Sequence, residues 1–319
     1  MTRFNTAALA ATLACLAQAP ADAAPTALDF NLDQSSTGGA SWREIGDAFA
    51  SPGDLELPPS TDDATAIDDA QFGTSREDAY DEFHLFAVDG QLYLSPGNTA
   101  DRVDSAAGTL VTFNTVTLSG LDSRLQYFFD ADAPVVRSVA SFENTTGSAI
   151  TATVRYGGSV GSDSLTTILA TSSGDTAFTV DDRWTLTDDT GTPASTPDPD
   201  VTTVWYGPGS PLVTPSLVNG LEGDPGSWFA EYDITVDPGE TVGLMWFGAV
   251  NDDNAAAEAF ANATFNTNAD VAAQGLLTGL SLAEQRQIVN WAIPEPSSLA
   301  LLSLGGLFVT RRRRVAQCY

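Results

Sequence analysis

Apolar and polar residues alternate with a period of two along much of this chain, the spacing that turns one face of a β-strand to a core and the other to water. Phe83, Leu85 and Ala87 alternate with His84, Phe86 and Val88, and Asp89-Gly90 offers a two-residue hairpin turn before Leu92-Tyr93-Leu94. Ile150, Ala152, Val154 and Tyr156 oppose Thr151, Thr153 and Arg155. Trp228, Ala230, Tyr232, Ile234 and Val236 oppose Glu231, Asp233 and Thr235, and a turn at Asp237-Pro238-Gly239 leads into Val242, Leu244 and Trp246. Further strands are predicted near 110–118, 124–129, 135–143, 177–187 and 201–206, each bounded by Gly, Asn, Asp or Pro. Half-apolar strands must cover one another, so the pattern predicts a mainly β fold, a β-sandwich of about ten antiparallel strands. Thr187–Asp200, TDDTGTPASTPDPD, carries neither period and reads as a surface loop.

The period changes after Val250. Asn251–Thr264 is alanine-rich and predicts a helix; Ser281-Leu282-Ala283-Glu284 is a capping box that opens another through Trp291, with Leu282, Ile288, Val289 and Trp291 as packing positions.

Both ends differ from this body. Arg3, an apolar run from Ala7 to Ala17 and Ala21-Asp22-Ala23 have the layout of a secretory signal peptide, residues 1–23, with Ala21 and Ala23 placed for signal peptidase. Cys15 does not mark a lipoprotein, since Thr12 stands where a Leu is expected and the apolar run continues past it. At the other end, Pro294-Glu295-Pro296 precedes a mostly apolar stretch to Thr310, then Arg311, Arg312, Arg313 and Arg314, then the short tail 315–319. These ordered elements resemble the PEP-CTERM sorting signal of Gram-negative surface proteins, here over 293–314. The resemblance implies recognition by an exosortase, cleavage near the triplet, and release of the body to the cell surface or exterior after a membrane-anchored stage.

The physics of this tail suits a temporary anchor. As a helix, 293–310 would span about 27 Å, against a hydrocarbon core of about 30 Å. Leu299, Leu301, Leu302, Leu304, Leu307, Phe308 and Val309 each contribute roughly −0.3 to −0.6 kcal/mol to insertion, before Gly and Ser subtract from the total. Such a transmembrane helix is marginal; the alternative is a permanent single-span anchor. The arginines orient it with the tail cytoplasmic and the body beyond the inner membrane. The expected organisation is therefore a signal peptide (1–23), a β-sandwich body (24–250), a helical closing segment (251–292) and the sorting signal (293–314).

Composition narrows the chemistry. Six Trp, sixteen Phe and seven Tyr in 319 residues supply a packed core despite a net charge of −29. All thirteen basic residues are arginines, and setting aside Arg3 and 311–314 leaves eight on the body. So acidic a surface excludes nucleic acid as a partner. Cys15 and Cys318 both lie in the end segments, so the body has no disulfide, thiol nucleophile or thiolate ligand.

No catalytic constellation emerges. His84 is the single histidine, and no Gly-x-Ser-x-Gly elbow accompanies it. Gly161-Ser162-Asp163-Ser164 reads as a turn. Asp62-Asp63, Asp68-Asp69, Asp181-Asp182, Asp188-Asp189 and Asp252-Asp253 read as solvated loop or cap residues; calcium is the one cation they suggest, without EF-hand spacing. Trp184, Trp205 and Trp228 read as core rather than a sugar platform. The sequence thus predicts no catalytic residues, cofactor or metal site, and a structural or adhesive component of the extracellular matrix with polysaccharide as candidate partner. An extracellular carbohydrate-binding module or carbohydrate-active enzyme is the alternative.

Overall fold

The structure is a computed structural model describing residues 24–293 except 28–29, 34–38, 47, 50–62, 74–75, 98, 162–165, 189–197 and 222–223. Ala21, Ala23, the Pro294-Glu295-Pro296 triplet, the apolar stretch after it and Arg311–Arg314 lie outside the described residues.

In chain order the strands are β1 (Ala24–Ala27), β2 (Phe30–Asp33), β3 (Ala40–Ile45), β4 (Ala48–Phe49), β5 (Asp63–Ala64), β6 (Ile67–Phe72), β7 (Arg76–Ala79), β8 (Asp81–Val88), β9 (Gln91–Leu92), β10 (Thr99–Ser105) and β11 (Gly108–Phe113). They continue as β12 (Val116–Leu118), β13 (Leu121–Asp130), β14 (Val135–Glu143), β15 (Ile150–Ser159), β16 (Thr167–Thr171), β17 (Trp184–Asp188), β18 (Asp200–Val204), β19 (Leu217–Leu221), β20 (Asp224–Val236) and β21 (Thr241–Asn251). Three short helices follow among the described residues: α1 (Asn254–Thr264), α2 (Asn268–Ala273) and α3 (Leu282–Gln287).

Two large antiparallel sheets result, beside the small pair β4-β5. The first runs β1-β10-β11-β13-β14-β21-β18-β17-β16 with β12 beside β13; the second runs β19-β20-β15-β8-β6-β3-β2 with β7 on β6 and β9 on β8. Aromatic rings join the two faces. Tyr156 of the second sheet lies parallel to Trp246 of the first with centroids 3.9 Å apart, and Phe86 meets Phe142 at 5.7 Å, edge to face.

The expected alternation is present in β15 and β20, where Ala152, Val154, Tyr156, Tyr232, Ile234 and Val236 are buried. Asp89 and Gly90 both take positive φ in the β8–β9 turn, as a primed hairpin turn requires. The turn at Asp237–Gly239 carries the chain from the second sheet to the first, since β20 pairs with β15 and β19 while β21 pairs with β14 and β18.

β21 is apolar on both faces because it is covered on both. Leu244, Trp246 and Val250 enter the core between the sheets; Met245, Phe247 and Ala249 enter a second core with Ala257, Ala261 and Phe265 of the helical segment.

Several expectations change. The described residues form twenty-one strands rather than about ten. The additional ones are short and polar, such as IDDAQF in β6, where only Ile67, Ala70 and Gln71 are buried. The helix expected through Trp291 ends at Gln287, because Ile288 adopts extended backbone and forms a parallel bridge with Gly243. Leu282, expected to pack, is 52% exposed, while Ile288 and Trp291 are buried. Asp68 and Asp69 sit on β6 rather than in a loop or cap.

Candidate functional site: the strap before the sorting tail

The capping box at Ser281 forms as expected: Glu284 N donates to Ser281 Oγ, and Ser281 N donates to Glu284 Oε2. One turn and a half later the chain leaves the helix as an extended strap, Ile288 to Ile293. Val289 N donates to Gly243 O at 2.9 Å, and Val289 O accepts from Leu212 N and Val213 N.

Asn290, fully buried, fastens the strap to the first sheet. Its Nδ2 donates to Met245 O (2.8 Å) and Trp205 O (3.3 Å), its Oδ1 accepts from Met245 N (2.8 Å), and its own carbonyl accepts from Gly207 N. An amide side chain that pairs with both backbone groups of one residue acts as a substitute ladder rung where a strand is missing. Trp291 follows, with Nε1 donating to Met245 O at 2.7 Å and its ring against Phe247 at 5.2 Å. Gly207 makes room for that ring, since a Cβ there would lie within 2.9 Å of three ring atoms. Ala292 O accepts from Asn268 Nδ2 at 2.7 Å, and Ile293 packs on the second core. Pro294 is the next residue.

A shallow dent opens at the root of the strap. Val139, Gly243 and Ile288 form its base, and Arg124 and Glu284 face each other across it at 3.6 Å. Gln126 also lines it and accepts from the buried Arg137 at 3.3 Å. Arg137 donates further to the carbonyls of Leu276 and Thr278 and lies 5.1 Å from the Phe128 ring centroid, so it staples the loop before α3 onto the sheet. Burial lowers its pKa to about 9, with Glu284 opposing the shift.

The remaining chemistry is structural or electrostatic. His84, wholly buried, has Nδ1 2.5 Å from Tyr156 Oη, and burial lowers its pKa to about 3. Its Nε2 and Tyr80 Oη approach the side of Gly248 where a side chain would begin: a Cβ there would lie 2.7 and 2.5 Å from them. Asp78, Tyr80, Glu82 and His84 all take positive φ, a strained run held in place by the interior position of Tyr80 and His84. On β6, burial raises Asp68 to about 7, assisted by a hydrogen bond with Glu44 and by the charges of Glu82, Glu44 and Asp81. Burial likewise raises Asp69 to about 6 against the pull of Arg43, 3.6 Å away.

Of the other acidic pairs, Asp188 is buried on β17 and Asp63 stands on β5 rather than in a solvated loop or cap, Asp62 and Asp189 lie outside the described residues, and the remaining two pairs serve turns and caps. Asp182 is buried and accepts from Ser173 N, Thr179 N and Thr179 Oγ1; Asp253 caps α1 through Ala256 N; Asp252 pairs with Arg76 at 3.3 Å. Trp184 and Trp205 are buried and Trp228 is packed against the core, as expected. Among the described residues, none of the acidic pairs is gathered around an aromatic platform. What it assembles with most care is the strap, and sequence reasoning missed it because Ile288–Trp291 continues the apolar spacing of α3. The β-branched pair Ile288-Val289, unfavourable in a helix, was the available clue.

The segment that emerges from the strap decides the assignment. The tail carries a sorting motif. Residues 292–314 match the PEP-CTERM protein-sorting motif, which begins on Ala292 of the strap, whose carbonyl accepts from Asn268. No curated protein matches the chain. Solved structures that resemble the fold include a polysaccharide lyase (13% identity, TM-score 0.35), covering 63% of this chain and 32% of that one. A TPR-domain containing protein from Parabacteroides distasonis gives 11% identity and 0.34, covering 60% and 44%. A galactose mutarotase related enzyme from Lactobacillus acidophilus gives 7% and 0.35, covering 70% and 97%. The chain spans about a third of the polysaccharide lyase, and scores this low support no statement on activity.

Proposed function

We propose that this is an exported protein of a Gram-negative bacterium, carried across the inner membrane by residues 1–23, held briefly by the apolar helix of the tail, and processed by an exosortase. Its body then serves at the cell surface or outside it as a non-catalytic structural or adhesive part of the extracellular matrix. The PEP-CTERM motif carries the export and sorting reading. Where the aromatic residues sit among the described residues speaks against an aromatic glycan-binding platform. Five of the six tryptophans are buried, Trp228 is packed against the core, and among the described residues the exposed large hydrophobic side chains are Val180, Leu212, Leu217 and Leu282. A glycan-binding face needs stacked aromatics in the open. Fractionation of cells expressing the full chain and a chain truncated after Ile293 tests the sorting half: the full chain reaches the surface, the truncated one is misdirected. Glycan-array binding or polysaccharide hydrolysis by the purified body would overturn the non-catalytic, non-lectin half.

A further inference from the structure

We propose that, while the tail is still attached, the loop 207–217 is the face of the body that rests on the outer leaflet of the inner membrane, with Leu212 as its lipid contact. The inference rests on the reading that the tail is inserted in that membrane before processing, and it adds the side of the body that meets the lipid.

The loop is fastened to the strap. Gly207 N donates to Asn290 O, and Leu212 N and Val213 N both donate to Val289 O, at 2.9 to 3.1 Å. Asn268 Nδ2 bridges the carbonyls of Pro208 and Ala292, and a Cβ on Gly209 would stand 3.5 Å from Ala292 Cβ. Pro208, Pro211 and Pro215 each fix a backbone φ in this segment. The loop therefore keeps its place beside the strap.

Leu212 has no cover in that place. It is 86% exposed, more than Val180, Leu217 or Leu282, the other exposed large hydrophobic side chains among the described residues. Leu217 opens β19 at the end of the same loop. The charge pattern points the same way, since residues 201–221 hold no Asp, Glu or Arg in a chain with 42 acidic and 13 basic residues. Anionic headgroups repel an acidic surface, so the face that approaches a bilayer closely is one without carboxylates.

The length of chain beyond the strap sets the distance. Ile293 packs on the second core, and Pro294, Glu295 and Pro296 alone separate it from the apolar stretch that enters the hydrocarbon from Ser297. Even fully extended, the step from Ile293 to Ser297 is at most about 14 Å. The headgroup layer is about 5–8 Å thick, so Ile293 stands at most about 9 Å outside it, less than the width of one helix. The loop beside the strap is thereby brought to the lipid, where a leucine gains by leaving water. The tail supplies the attachment and Leu212 the orientation, because a second contact on a tethered body needs little affinity of its own. A second copy of the chain is the poorer occupant, since bodies this acidic repel each other.

The chain from Ala24 onward, with Cys318→Ser, is reconstituted into vesicles of phosphatidylethanolamine and phosphatidylglycerol whose acyl chains carry bromine near the headgroup. A fluorophore that bromine quenches is attached at Ser210→Cys or, as a control, at Thr145→Cys; both positions are exposed. Thr145 follows Glu143, which pairs with Thr241 at the end of β21 from which the strap runs away. The label at 210 is expected to lose fluorescence relative to unbrominated vesicles, and the label at 145 to keep it. Leu212→Asp, at a position exposed enough to leave the fold intact, is expected to restore the signal at 210. Quenching at 210 that survives Leu212→Asp overturns Leu212 as the contact. Protein that floats with the vesicles while neither label is quenched, or both equally, overturns the proposed face and leaves the insertion reading standing. Protein that does not float with the vesicles overturns the insertion reading, and the face with it. A loss at 210 in unbrominated vesicles that grows with protein density shows a second copy on this face and overturns the lipid assignment.

Discussion

His84 supplies a sharp test of the interior, because it is the only histidine in the chain and is wholly buried. The rings of Tyr80, Phe83, Tyr127 and Tyr156 pack around it at centroid distances of 5.1 to 5.9 Å, and none carries a charge at neutral pH. Burial lowers its pKa to about 3 from 6.5. Below pH 6.5 the unfolded chain binds a proton that the folded chain refuses, so folding stability falls as pH falls, down to the folded value. Well inside that window each pH unit costs about 1.4 kcal/mol, and the fall from pH 6.5 to 4.5 costs about 2.3 kcal/mol. Asp68 and Asp69 act in the opposite sense, because their raised folded pKa values make the folded state bind protons more readily than the unfolded chain. His84→Gln separates the two. The variant loses a roughly constant 1–3 kcal/mol from the disturbed contact with Tyr156, keeps both carboxylates, and lacks the acid penalty. Urea denaturation at several pH values is expected to show the wild type's advantage shrinking by about 1.4 kcal/mol per unit below pH 6.5. The single histidine Hε1 resonance of the native protein is expected not to titrate between pH 7.5 and 4. A native midpoint near 6.5, or stability curves that run parallel, would refute the argument.

Asp68→Asn is expected to stabilise the protein above pH 7 and to have little effect near pH 4. With the folded pKa raised from 3.8 to about 7, the cost of this carboxyl grows as pH rises from about 3.8 and is complete above about 7. After discounting for its half-exposed position, the gain is about 1 kcal/mol, readable as a rise in Tm at pH 8 that vanishes at pH 4.5. Gly248→Ala places a methyl group 2.5 Å from Tyr80 Oη and 2.7 Å from His84 Nε2. The expected loss is about 1–3 kcal/mol by chemical denaturation. Asn290→Ala removes three side-chain hydrogen bonds and leaves both buried backbone groups of Met245 without this partner. It is expected to cost about 2–4 kcal/mol by the same measurement; a loss under 0.5 kcal/mol would show that the strap does not hold the body.

The sequence discloses the long central strands well and the edges poorly, for a physical reason. β14, β15, β20 and β21 run for nine to thirteen residues, long enough for a period of two to stand out. β3, β6 and β7 are four to six residues long and rich in Asp, Glu and Arg. They are strands because Trp42, Ile67 and Ala70 are drawn into the core, a tertiary effect that local propensity does not report. The same holds for the helices: both capping boxes form, at Ser281 and at Thr267, yet only the first precedes an apolar run strong enough to be noticed. For the site, the motif after the strap is legible residue by residue, whereas the strap is visible only in three dimensions. Its partners are Gly207, Met245 and Asn268, far from it in sequence.

That separation sets an order of events. The strap closes the second core by binding residues that precede it by tens of positions, so it can dock only after β18, β21 and the helices are in place. It is also the last part of the body before the sorting motif. On the proposed processing, a docked strap shields part of 288–293 from an enzyme, and an undocked one exposes it. Destabilised bodies such as Asn290→Ala, processed in cells, are expected to yield ragged C-termini that reach back into the strap. The wild type is expected to yield a single one, and equal raggedness in both would show that motif recognition alone fixes the cut.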